Sequence, residues 1–182
     1  MTARTGGAEL ERVAYSAEDI AARVAEMGAE ITRHYPADEP LLLLGLLKGS
    51  FIFMADLVRE IARPVTLDFL VASSYGAGTV SSGQVRLLYD PEAMLEGQHV
   101  ILIEDIVDSG TTMNRLIPML EQRRPKSLEI CALLHKRVAT DLVREPRWTG
   151  FDAPPEFLIG YGLDHSENFR NLPFIGSLKT PE

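Results

Sequence analysis

Ile20, Val24, Met27 and Ile31 recur at the spacing of one helix face, predicting a first long helix. Ser16 stands at its start with Asp19 three residues on, close to a capping box, and Pro36 marks its end. Leu41–Leu47 is apolar without interruption and reads as a strand buried on both faces, leading through Lys48-Gly49-Ser50 into a helix that ends near Ile61. Val65–Val71, Val85–Tyr89, Val100–Ile103 and Ser127–Leu134 read as further strands, with a helix from Thr112 to Gln122 that Pro118 is expected to kink or shorten. Phe157–Tyr161 and Phe174–Leu178 are the last strand candidates. Such an alternation predicts an α/β fold, a mostly parallel twisted sheet with helices on both faces.

Three segments break the pattern. Residues 1–10 carry Gly6 and Gly7 without periodicity and are expected to be a mobile arm. Residues 73–83 are rich in serine and glycine and are expected to form a flexible loop. Val138–Pro155, with Trp148, fits no assigned element.

A length of 182 residues suits a single domain with a sizeable core, residues 1–182, and no internal repeat divides it. A formal net charge of -8 argues against general affinity for nucleic acid or an anionic membrane, since both require a basic face. It leaves room for a small basic pocket. Cys131 is the lone cysteine, so no intramolecular disulfide can form; within its apolar run it reads as a buried thiol in a reducing compartment. His34, His99, His135 and His165 show no zinc-ligand spacing, so any metal is expected to be a hard cation on carboxylates. Leu41–Leu47 is too short to cross a bilayer and the first residues do not pattern as a signal peptide, so the cytoplasm is the expected location.

In parallel α/β sheets ligands bind beyond the carboxyl ends of the strands, and three polar groups fall there. In the strongest, Glu104 and Asp105 follow an apolar strand, and Asp108-Ser109-Gly110-Thr111-Thr112 leads into a helix. The acids suit ribose hydroxyls or magnesium, and the loop offers N–H groups, hydroxyls and a helix N-terminus to a phosphate. Asp108 or Ser109 acting only as a helix cap is the plain alternative. Lys48-Gly49, after the first buried strand, reads equally as an ordinary turn. Lys136, after the strand Ser127–Leu134, would by itself be a solvated lysine, and Phe157 a core residue.

Two acids, two apolar residues and Asp-Ser-Gly-Thr-Thr after an apolar strand resemble the phosphoribosyl-diphosphate motif of the type I phosphoribosyltransferases. From Leu41 to Leu178 the chain is most similar to the hypoxanthine-guanine members of that family. Leu47-Lys48-Gly49-Ser50, Ser74-Tyr75, Leu134-His135-Lys136-Arg137, the run from Glu156 to Asp164 and Asn168-Phe169-Arg170-Asn171-Leu172-Pro173 carry the similarity. The resemblance implies that fold, with a small hood made by the terminal segments.

It also implies a reaction: phosphoribosyl diphosphate plus hypoxanthine or guanine gives IMP or GMP plus diphosphate, with Mg2+ as cofactor. Lys48 and Gly49 would bind diphosphate across a cis Leu47–Lys48 peptide. Ser74 and Tyr75 would head a closing loop. Glu104, Asp105 and Asp164 would lie at the metal, and Ser109, Gly110, Thr111 and Thr112 at phosphate. Asp108 would be the general base near N7 of the purine. Lys136 would donate to the 6-oxo group, Phe157 would stack on the ring, and the Leu158 backbone would read the base edge. Arg170 would approach diphosphate. Two or four copies would assemble. His135 and His165 depart from the residues expected at their positions. Transferases of the same fold with another base, and a nucleic-acid-binding regulator, are the rival readings; the regulator would need a basic face or an added domain.

Overall fold

The computed structural model describes residues 9–74, 85–138 and 141–179. Among them, six strands form one sheet in the order β4-β3-β2-β5-β6-β7: β2 Leu41–Leu47, β3 Thr66–Ser74, β4 Val85–Tyr89, β5 His99–Val107, β6 Ser127–His135 and β7 Trp148–Asp152. All neighbours are parallel except β4, which runs antiparallel to β3. Leu41–Leu47 is buried because both faces are covered. Leu41 and Leu43 pack with Ile20, Val24 and Met27 of α1 (Ala17–His34) and Phe53 and Leu57 of α2 (Phe51–Glu60). Leu42, Leu44 and Leu46 pack on the other side with Met113, Leu116 and Leu120 of α3 (Thr111–Glu121).

The capping box of α1 is complete: the Asp19 N–H donates to Ser16 Oγ at 3.1 Å, and the Ser16 N–H donates to Asp19 Oδ2 at 3.1 Å. Pro118 does not end α3, which runs on to Glu121; its place in the last turn leaves few backbone bonds to disturb. Cys131 is fully buried, and burial pushes its thiol pKa up. No helix among the described residues is long and apolar enough to cross a membrane.

Three departures from the sequence reading matter. The arm expected over 1–10 gives way at Leu10, which opens β1 (Leu10–Tyr15), and residues 1–8 lie outside the described residues. Strand β1 pairs with β9 (Ile175–Leu178), which pairs with the two-residue β8 (Leu158–Ile159), so a small antiparallel sheet joins the two ends of the chain. The unassigned segment contains β7, paired to β6 through Cys131↔Trp148 and His135↔Asp152. The loop expected over 73–83 begins inside β3, and 75–84 lie outside the described residues.

Sheet order places the site. From β2 the chain moves through α2 to β3 on one side, and from β5 through α3 to β6 on the other. The carboxyl ends of β2 and β5 therefore flank a topological switch point, where a crevice opens for a ligand.

Candidate active site

That crevice holds a cavity of about 280 Å³ lined by Leu46, Leu47, Lys48, Gly49, Ala72, Glu104, Asp105, Thr112, Asp164 and Arg170. A smaller one of about 70 Å³ adjoins it, sharing Glu104 and Thr112 and lined otherwise by the run Ile106–Met113. Four segments far apart in sequence thus meet at one mouth.

The small cavity is the loop Asp108–Gly110 and the first turn of α3. Gly110, at φ 78°, is the N-cap residue, and no side chain caps the helix. The plain alternative, that Asp108 or Ser109 serves only as the cap, is not what the structure has: the left-handed turn at Gly110 puts a residue without a side chain at the cap position. The first N–H groups of α3 are left facing outward, beside Ser109 Oγ and Thr111 Oγ1, which lie 3.0 Å apart. Such an end receives an anion.

Strand β5 continues past the acids to Val107, so Glu104 and Asp105 do not end it as expected. Both nevertheless line the larger cavity. Glu104 is 8% exposed and its Oε2 has no hydrogen-bond partner among the described residues. Burial, then the neighbouring Asp105 charge, raises its pKa well above the ordinary range. Asp105 is pushed up to about 6 by burial, against the pull of its backbone hydrogen bonds, one of them from the Ile106 N–H to Oδ1 at 2.9 Å, and of Arg170. Two buried acids side by side, one with an unpartnered oxygen among the described residues, have the chemistry to take hydroxyls or a cation.

The folded chain thus holds these two protons more tightly than the unfolded chain does. Their destabilising effect is absent below about pH 4 and grows as pH rises through the folded pKa values. Glu104→Gln in chelator, without substrate, is expected to raise Tm at pH 8 by at least about 2 °C and to change it little near pH 4.5. Calorimetry at the two pH values decides it; a variant no more stable at pH 8 would refute the charge penalty.

The Leu47–Lys48 peptide is cis, as the resemblance implied. Gly49 is where backbones converge: a Cβ there would lie 1.7 Å from Asp105 Oδ2, and one on Gly162 (φ 100°) would lie 2.1 Å from the Gly49 carbonyl oxygen. Gly49→Ala would drive Asp105 off the Ile106 N–H. The expected result is a fold destabilised by overpacking by roughly 1–3 kcal/mol, read as a Tm lowered by at least about 2 °C. Calorimetry checks it, and an unchanged Tm would show that the Asp105 carboxylate yields without cost.

Lys136 is not the solvated lysine its sequence position suggests. Its N–H donates to the Val107 carbonyl at 2.9 Å, and its Nζ donates to Asp108 Oδ2 at 2.8 Å. Phe157 is 62% exposed, not core, with His165 edge-on at 5.4 Å between ring centroids, and Leu158 is buried. Neither cavity lining includes Lys136, Phe157 or Leu158 among the described residues. Lys136 joins the site through Asp108, and Phe157 through His165 beside Asp164. Ser74 ends β3, and Tyr75 lies outside the described residues. His135 is buried, with neither ring nitrogen hydrogen-bonded, and burial holds its pKa below the usual value.

Asp164 Oδ1 accepts from Arg170 Nη2 at 2.8 Å, and Arg170 Nη1 donates to the Gly162 carbonyl at 2.7 Å. The sequence reading placed Gly162 in the run Glu156–Asp164 without giving it a role, and it missed Glu167, whose carboxylate accepts from Lys48 and which no local motif marks. Among the described residues no three His, Cys, Asp or Glu side chains form a ready metal cage. The set still suits a hard cation that takes most of its ligands from a bound substrate: the partnerless Glu104 Oε2 and the Asp105 and Asp164 carboxylates all face the cavity region.

A parallel sheet with an acid pair and an uncapped, hydroxyl-lined helix end at its switch point, roofed by a sheet from both chain ends, defines the class of α/β phosphoribosyltransferases. The phosphoribosyl transferase domain family matches residues 14–166. A hypoxanthine-guanine phosphoribosyltransferase of Dictyostelium discoideum is 46% identical over 170 residues, 92% of this chain and 94% of the relative. One from Bacillus subtilis is 43% identical over 171 residues, 94% of each. The crystal structure of a hypoxanthine phosphoribosyltransferase from Staphylococcus aureus superposes with a TM-score of 0.88 at 41% identity, over 93% of this chain and 92% of that one. The chain belongs to the hypoxanthine-guanine phosphoribosyltransferase family.

Proposed function

We propose that this enzyme transfers the phosphoribosyl group of phosphoribosyl diphosphate to N9 of hypoxanthine or guanine, releasing diphosphate and forming IMP or GMP, a step of purine salvage. The observation that carries the reading is the Lys136–Asp108 pair at 2.8 Å, beside the acid-lined cavity. A 6-oxopurine carries an acceptor at O6 and a ring nitrogen, N7, next to it. A donor and a carboxylate side by side match that edge.

In this reading the 5′-phosphate sits on the Ser109–Thr112 backbone and hydroxyls. Glu104 and Asp105 hold the ribose hydroxyls, and Lys48, Gly49 and Arg170 hold the diphosphate. The C1′–oxygen bond to diphosphate breaks as the N9–C1′ bond forms, with positive charge developing on the ribose. The buried acids stabilise that charge, and the cations beside the diphosphate stabilise the departing one. Asp108 takes the proton that the purine ring gives up at N7, and Lys136 holds O6. Phe157, exposed to solvent, offers its face to the purine. Glu104, Asp105 and Asp164 would hold magnesium, which when bound supplies charge neutralisation to the leaving diphosphate.

Assembly into two or four copies fits the apolar edge of the sheet, where Leu67, Phe69, Leu88 and Tyr89 of β3 and β4 stay exposed. The net charge of -8 supports small-molecule partners over nucleic acid, and a free, buried Cys131 suits the reducing cytoplasm.

Product identification tests the reaction. Phosphoribosyl diphosphate and magnesium are supplied with hypoxanthine, guanine, xanthine, adenine or uracil in turn. IMP and GMP are the expected nucleotides. Formation of UMP or AMP alone would overturn the assignment of the base.

A further inference from the structure

The two cations assigned above to diphosphate are already engaged by one carboxylate. Lys48 Nζ donates to Glu167 Oε1 and Oε2, each at 3.2 Å, and Arg170 Nη2 lies 3.3 Å from Oε2. Lys48 follows β2 and Arg170 follows the hood segment, so this carboxylate links the two sides of the cavity mouth. The chain is turned to put it there. Ser166 and Glu167 have φ 52° and 64°, a left-handed backbone that side-chain-bearing residues seldom adopt, and the Glu167 N–H donates to Asp164 Oδ2 at 2.8 Å. Asp164 and Arg170 are themselves paired at 2.8 Å, so Arg170 is shared between two carboxylates of one tight turn.

We propose that Glu167 is an internal stand-in for diphosphate: in the free enzyme its carboxylate occupies the cations that diphosphate needs, and substrate binding or product release exchanges one anion for the other. The inference rests on the diphosphate reading of Lys48 and Arg170. The exchange keeps Lys48 and Arg170 neutralised in the free enzyme and gives departing diphosphate a competitor. Lys48 and Glu167 are both about two-thirds exposed, so the contact is weak and readily exchanged. Glu167 acts through Lys48 and Arg170 and touches no reacting atom, so its role is one of positioning and competition.

A competing anion and a merely structural residue predict changes of opposite sign. Binding of inorganic diphosphate, with magnesium, is measured by calorimetry on wild type, Glu167→Gln and Glu167→Asp. Glu167→Gln keeps the backbone and the shape but removes the charge. It is expected to tighten diphosphate binding by about 3- to 10-fold, the scale of an exposed ion pair. Glu167→Asp, which keeps the charge, is expected to stay nearer wild type. The gain in the Gln variant should shrink at high salt, where exposed charges are screened. In turnover, slower diphosphate release should lower kcat together with the KM for phosphoribosyl diphosphate. Weaker or unchanged diphosphate binding by Glu167→Gln would overturn the inference while leaving the function intact. Wild type that binds no diphosphate would instead overturn the reading of the site itself.

Discussion

Adenine is expected to be used roughly 10⁴-fold less efficiently than hypoxanthine or guanine, the scale on which sites built around one hydrogen bond reject the mismatched analogue. Lys136 is the reason. It is a donor only, half-withdrawn from solvent at 20% side-chain exposure and held by Asp108 at 2.8 Å and the Val107 carbonyl at 2.9 Å. A 6-oxo group meets its ammonium with a lone pair, whereas the amino group of adenine would set donor against donor beside a desolvated charge. Lys136→Ala and Lys136→Gln should therefore lower kcat/KM for the 6-oxopurines far more than they weaken phosphoribosyl diphosphate binding. The Gln variant should also lose discrimination, because its amide can present an acceptor to the amino group. Steady-state kinetics with each base on the three proteins check this. Efficient wild-type use of adenine, or an unchanged kcat/KM in both variants, would remove Lys136 from the site.

Asp108→Asn is expected to cut kcat by roughly 10²-fold or more, the loss that follows removal of a positioned acid–base group. The structure sharpens this expectation because the rival role has gone: Gly110 is the N-cap of α3, and among the described residues no side chain makes the cap hydrogen bond. Asp108 is exposed at the loop, and among the described residues its carboxylate pairs only with Lys136, so the variant should fold normally. An amide in its place keeps a hydrogen-bond acceptor for Lys136 but cannot take a proton. Binding of phosphoribosyl diphosphate, measured without the base, should change little, since the phosphate cradle is backbone and hydroxyl. Near wild-type turnover would mean that Asp108 only orients Lys136. In that event an elevated KM for the base with kcat unchanged would be the sign of it.

Much of the molecule was legible because the residues in question act locally. The capping box at Ser16 and Asp19, the continuous burial of Leu41–Leu47 and the acid pair followed by Asp108–Thr112 each combine within a few residues. The Asp108–Thr112 run differs from the Ser16–Asp19 run in following the carboxyl end of a buried strand, and that position marked it as the candidate site. Where these readings erred, they erred by extent: β5 outruns its apolar stretch because its ladder with β6 continues to Val107↔His135, and backbone pairing does not stop where side chains turn polar.

What lay outside the sequence's reach depends on partners far along the chain. LERVAY at Leu10–Tyr15 has no strong strand signature of its own, and becomes β1 because β9 offers a ladder at Ile175–Leu178. WTGFD at Trp148–Asp152 is a strand because it closes the β6 edge. The Arg12–Glu156 ion pair at 2.9 Å and the 2.1 Å approach that only glycine permits between Gly162 and Gly49 likewise join residues more than a hundred positions apart. Composition and local pattern determined the α/β class and the buried core strands, since hydrophobic period, capping and turn residues are short-range physics. Tertiary structure alone decided that Asp108 pairs with Lys136 instead of capping its helix, that Glu104 is buried without a partner, and that Glu167 sits on Lys48 and Arg170. Burial and charge pairing depend on which distant segments share a site, and no local stretch of sequence carries that.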